Sequence, residues 1–179
     1  MDIELQAMDV SPPHAGGWLT RMNAVLAKTG MYVAIAGLML IVGVVFFQVF
    51  GRYVLNNSPT WAESLAILLV LYVTLIGAAV GVRDAGHIGL ESLLVMLSDS
   101  ARRKMDVLIY ALVGAFGACM AYNGWVLGNS VSGYLIPNLH ISEAFRYVPL
   151  VLSGVLIVLF SIEHIVAIVR GEEVAPSWN

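Results

Sequence analysis

Four apolar runs, at about 30–50, 64–82, 107–131 and 147–169, constrain this chain more than any other feature. Crossing the hydrocarbon layer takes roughly 20 mostly apolar residues at 1.5 Å each, so every run is long enough to span a bilayer. Hydrophobic residues make up 59% of the chain and charged residues only 12%, with a mean hydropathy of +0.85, far from the balance of a soluble domain. In lipid a spanning segment must satisfy its own backbone polar groups, which helices do. The expected fold is therefore an all-α integral membrane protein with four transmembrane helices. Residues 1–29 form an N-terminal segment, 30–170 one membrane domain and 171–179 a tail, since no remaining piece could bury a core of its own.

Orientation follows from the basic residues, because short loops rich in Lys and Arg stay in the cytoplasm. Arg21, Lys28, Arg83, Arg102, Arg103, Lys104 and Arg170 fall on one side of a four-span zigzag, and Arg52 and Arg146 on the other. Both termini are expected to be cytoplasmic. The opening MDIELQAMDVSPPHAGG is acidic and has no basic leader or cleavage pattern, so the first span reads as an uncleaved anchor. Tyr53, Trp61, Tyr134 and Tyr147 cluster near the opposite boundary, where amphipathic rings are at home.

The one long cytoplasmic loop joins the second and third spans. In it Leu90, Leu93, Leu94 and Leu97 recur at i, i+3, i+4 and i+7, with Glu91, Ser92, Ser98 and Asp99 elsewhere, which predicts an amphipathic helix over about 87–99. Too short to span, it either lies in the membrane interface or docks its leucines on a partner subunit. Arg102, Arg103 and Lys104 follow it and suit anionic phospholipid head groups, at about 1 kcal/mol each, as well as serving as a topology signal. The SDS triplet at 98–100 offers capping oxygens, so the third helix is expected to begin before its apolar part.

Gly114, Gly117, Ala121, Gly124 and Gly128 line one face of the third span. Lipid provides no hydrophobic drive between helices, so small residues that allow close backbone approach are a main route to association. Spacing leaves open whether the contact lies within the bundle or against another chain. Gly77 and Gly81, with Ala78 between them, form a shorter version in the second span, and the single cysteine, Cys119, reads as a small buried hydrophobe.

Ionisable residues at depth are costly and are functional candidates by default. Glu63 opens the second span within TWAE, a capping-box pattern, and Arg52 ends the first, where a cation complements the helix dipole. Both read either as helix-end residues pairing across a short loop or as a subunit contact. Glu163 and His164 lie inside the fourth span, deep enough to need a partner or a cavity, and Arg83 and His87 are the candidate partners on that side. This makes Glu163 an interface or loop-anchoring residue rather than a proton carrier. No two histidines stand at ligand spacing within one span, no Gly-rich loop cradles phosphate, and no carboxylate pair faces the midplane. Broken helices in matched positions, the mark of a secondary transporter's site, are missing too. Pro149 reads as a helix start. The residues describe a small four-helix membrane subunit that works through its surfaces, with no cofactor and no enzymatic activity. An autonomous homodimeric transporter using Glu163, or a haem-bearing anchor of an oxidoreductase using His164, stays open.

A family resemblance narrows this. GRY at 51–53, WAE at 61–63, GAA at 77–79, then Arg83 and His87, an amphipathic segment and a basic run occur in an order and spacing that resembles the small membrane subunit (DctQ-type) of tripartite ATP-independent periplasmic, or TRAP, transporters. The likeness extends over about 30–170. The family often carries two consecutive acids after the tryptophan, whereas here the second position is Ser64. The resemblance implies a bacterial inner-membrane complex in which a periplasmic substrate-binding protein captures an organic acid. A large multi-span permease moves the acid by a sodium-driven elevator motion, and the small subunit clasps that permease's stationary part without touching substrate. It further implies that the 87–99 segment braces the complex, with Arg83 and His87 setting its entry angle. Arg52, Trp61 and Glu63 would then lie where the periplasmic protein approaches.

Overall fold

A computed structural model describes residues 18–57, 59–84, 99–171 and 174. Four long helices carry the fold: α1 (Trp18–Tyr53), α2 (Thr60–Asp84), α3 (Asp99–Ser130) and α4 (Val148–Arg170), with a 3₁₀ turn at Glu143–Arg146 before α4. Each contains a window long and apolar enough to cross a membrane, and no strand occurs among the described residues. The expected 87–99 helix, with His87, Leu90, Leu93, Leu94 and Leu97, falls on the segment 85–98, outside the described residues.

The helices outrun their apolar stretches. α1 has 36 residues, about 54 Å at 1.5 Å per residue, nearly twice a hydrocarbon layer of roughly 30 Å. It continues from the apolar run back to Trp18, and α3 begins at Asp99, ahead of its apolar part. α4 starts with Pro149 in its first turn, where a missing N–H costs nothing. It stops at Gly171, whose left-handed φ of 71° lets its N–H reach the carbonyls of Ala167 and Ile168. Between α1 and α2 the Asn57 N–H donates to the Gly51 carbonyl at 3.0 Å. A Cβ on Gly51 would stand 3.0 Å from the Asn57 oxygen, closer than ordinary contact, so glycine eases this turn.

Consecutive helices pack as two hairpins, α1 on α2 and α3 on α4, and the hairpins join mainly through α2 against α4. α4 is thus the central helix, with Phe160, Ser153, Ser161 and Glu163 all buried. Phe160 closes a small apolar cluster with Ala27 of α1 and Val80 of α2. Elsewhere the usual arrangement of a soluble protein is inverted. Phe46, Leu112 and Trp125 are 70%, 62% and 68% exposed, an outer surface suited to lipid or to another apolar surface rather than water.

The small-residue stripe of α3 faces α4. A Cβ on Gly117 would lie 2.9 Å from the Gly154 carbonyl, and one on Gly154 would lie 2.6 Å from both the Ala121 nitrogen and the Gly117 carbonyl. Gly114 meets Ser161, and Gly124 meets Leu150 and Val151. The shorter pair on α2 differs, because Cβ atoms on Gly77 and Gly81 would meet nothing within 4 Å. Cys119 corrects the expectation of burial: it is exposed. It lies two residues from Gly117, about 200° around the helix, so once the glycines turn to α4 the thiol faces outward.

Candidate functional site

The polar chemistry of the bundle gathers where α2 ends and where α1 and α3 begin. Antiparallel topology brings seven basic residues to this end. Arg21, Lys28, Arg102, Arg103, Lys104 and Arg170 are exposed, whereas Arg83, in the last turn of α2, is turned inward and only 2% exposed. A buried guanidinium persists only with charged, hydrogen-bonding partners.

Those partners come from α4 and from the neighbouring residue. Nε and Nη2 of Arg83 donate to Oε2 and Oε1 of Glu163, each at 3.1 Å, the bidentate geometry that makes arginine–carboxylate pairs directional as well as strong. Nη1 donates to Oδ1 of Asp84 at 2.9 Å. All three side chains are almost fully buried. One residue further along α4, Nε2 of His164 lies 3.0 Å from the Arg83 carbonyl. A carbonyl only accepts, so Nε2 carries the proton. This bond fills one of the carbonyls that a helix C-terminus leaves without an intrahelical partner. The imidazole also stacks on Tyr110 of α3, with centroids 4.3 Å apart and planes within 7°. On the facing side, Nδ2 of Asn23 in α1 donates to the Leu159 carbonyl at 3.2 Å.

One turn of α4, Leu159 to His164, therefore receives a polar or aromatic contact from each of the other three helices. Taking two charges out of water is expensive, and a buried pair adds little net stability over apolar residues of the same shape. Geometry is its contribution. The paired fork and the histidine donor fit one axial alignment of α2 and α4, in an environment where apolar side chains discriminate weakly between alignments. Among the described residues no group of three or more His, Cys, Asp or Glu is gathered as a metal site.

Of the residues singled out in the sequence, Arg83 and Glu163 are brought together. Arg52 and Glu63 are not: among the described residues no ion pair joins them. The Arg52 guanidinium instead lies 5.9 Å from the ring centroid of Tyr53. Trp61 packs its ring on Phe47 at 6.0 Å, and Glu63 is exposed. Sequence reasoning missed three members of the cluster. Asp84 adjoins Arg83 and could have been named on that ground. Asn23 was detectable by continuing the helical period of the first span backwards through Leu26, Met22 and Leu19. Tyr110 gave no sign, because its role depends on which face of α3 meets α4.

Comparison with known proteins bears on most of the chain. Residues 41–171 match the family model described as the DctQ component of tripartite ATP-independent periplasmic transporters. The chain is 26% identical over 126 residues to the sialic acid TRAP transporter small permease protein SiaQ of Vibrio cholerae, covering 70% of this chain and 72% of that one. It is 32% identical over 85 residues to the C4-dicarboxylate TRAP transporter small permease protein DctQ of Pseudomonas aeruginosa, covering 46% and 40% respectively. A third similarity, 30% over 73 residues, is to the sialic acid TRAP transporter permease protein SiaT of Haemophilus influenzae, where it covers 41% of this chain but 12% of that protein.

Proposed function

This chain belongs to the DctQ component family of tripartite ATP-independent periplasmic transporters, as one of their small permease subunits, and from that premise we propose that it scaffolds a large permease in a sodium-coupled, binding-protein-dependent transporter of organic acids. In this reading the large subunit carries substrate across the bilayer by an elevator motion. The small one holds its stationary part and touches no substrate.

The observation that carries the scaffold reading is the use made of the buried ionisable groups. Arg83 and Glu163 are engaged with each other, and His164 donates to a backbone carbonyl. A coupling carboxylate must exchange its partner during transport, whereas Glu163 sits in a two-bonded fork at the end of the bundle. That geometry favours a structural role over the autonomous transporter. A haem anchor would need a second axial histidine facing His164, and the other described histidine, His140, precedes α4 at the opposite end of the bundle. A large partner is supported by the similarity to SiaT. Sequence like this chain's there forms a small part of a much longer permease protein, the arrangement expected if the two act as one unit. The relatives' names cite sialic acid and C4-dicarboxylates, both acids, which supports the organic-acid class.

The complex sits in the bacterial inner membrane with both termini of this subunit cytoplasmic. The segment 87–99 braces its cytoplasmic face, and Arg102, Arg103 and Lys104 hold phospholipid head groups. Arg52, Trp61 and Glu63, at the opposite end, approach the periplasmic substrate-binding protein. Affinity purification of the tagged chain from gently solubilised native membranes tests this reading. A stoichiometric multi-span partner is expected, and recovery of a lone chain or homodimer would overturn it.

A further inference from the structure

We infer that the α4 turn from Leu159 to His164 is a register key, in which Glu163 and His164 act as positioning residues that set, through Arg83, where the chain leaves α2. Three observations carry this. The interhelical polar contacts of α1 and α2 near this end both converge on that turn, from Asn23 and from Arg83. The Arg83 contacts are directional at both its ends, since the side chain is gripped by Glu163 and the main-chain carbonyl by His164. Finally, the two hairpins lack the device that fixes α3 on α4. The glycines of α3 interlock with α4 at backbone distance, whereas Cβ atoms on Gly77 and Gly81 of α2 would meet nothing within 4 Å.

A slip of α2 along α4 by one turn, about 5.4 Å, would exchange one apolar surface for another at little cost in lipid. It would also break the fork and the histidine bond together. Arg83 and Asp84 are the last two residues of α2, so the same contacts fix the point at which α2 ends. The consequence for assembly rests on the scaffold reading above; the register claim does not.

The test uses the full chain in nanodiscs, with Cys119 replaced by serine and spin labels at two pairs of exposed sites. Ile67→Cys with Val169→Cys reports α2 against α4, and Trp125→Cys with Val169→Cys reports α3 against α4. In Glu163→Gln and His164→Phe the first pair is expected to gain a second distance displaced by about one turn, roughly 5 Å, while the second pair stays unchanged. His164→Gln, which keeps a donor near the position of Nε2, restores the single distance. An unchanged first pair, or equal changes in both pairs, overturns the register key. Co-purification with the large permease is read in parallel and should fall several-fold in Glu163→Gln and in His164→Phe and stay near the unsubstituted level in His164→Gln. A displaced register with full co-purification overturns the assembly consequence, and failure of the unsubstituted chain to bring down any permease overturns the scaffold reading instead.

Discussion

Replacing Gly154 with alanine tests whether backbone proximity holds α3 to α4. The added methyl would stand 2.6 Å from both the Ala121 nitrogen and the Gly117 carbonyl, where ordinary contact begins near 3.4 Å. Neither obstacle is a movable side-chain end, so the helices must separate by most of the 0.8 Å shortfall. A gap of 0.5–1 Å forfeits a quarter to a half of each dispersion contact it opens, and overpacking of this kind costs about 1–3 kcal/mol. Alanine returns up to about 1 kcal/mol through its higher helix propensity, which leaves a net loss of up to roughly 2 kcal/mol. Gly77→Ala is the matched control, because its methyl meets nothing within 4 Å and only the propensity gain applies. Reversible unfolding of the purified subunit in mixed micelles should place Gly154→Ala below the unsubstituted chain and Gly77→Ala at or above it. Equal stability of the two variants would refute the claim that close approach at Gly117 and Gly154 holds the second hairpin together.

Removing the buried cation alone should be far worse than removing the whole cluster. Arg83→Met leaves the buried Asp84 and Glu163 carboxylates without their guanidinium and is expected to cost about 3–5 kcal/mol in the same unfolding assay, whereas Arg83→Met with Asp84→Asn and Glu163→Leu recovers most of it. Charging the leucine stripe by replacing Leu90, Leu93 and Leu94 with glutamate should lower complex yield and substrate uptake together; normal values of both would remove the brace. Glu63→Lys, at an exposed site with no ion pair to Arg52, should leave the subunit's stability within about 0.5 kcal/mol while weakening uptake at limiting binding protein. Unaltered uptake there would remove the periplasmic contact. The purified subunit should show no haem absorbance band, and a Soret peak would revive the oxidoreductase anchor.

The sequence by itself determined the solvent, the number of spans and the side on which each charge falls. These depend on local quantities: run length against bilayer thickness, and the position of each Lys and Arg along a zigzag. It also showed that Glu163 needs a partner or a cavity, since a charge inside a helix of this hydropathy cannot stand alone. Which residue answers, and what else joins it, was a tertiary decision. Arg83 and Glu163 stand 80 positions apart, and a helix that is apolar on every side gives no sign of which face its neighbour will cover. The same ambiguity hid Tyr110 behind His164, left Cys119 to be read as buried, and made Gly77 and Gly81 look like a shorter version of the α3 stripe. Spacing marks where two backbones are able to approach each other. The packing of α4 against α2 and α3 decided where they do, because in lipid the choice rests on shape and on a few directional polar bonds rather than on hydrophobicity.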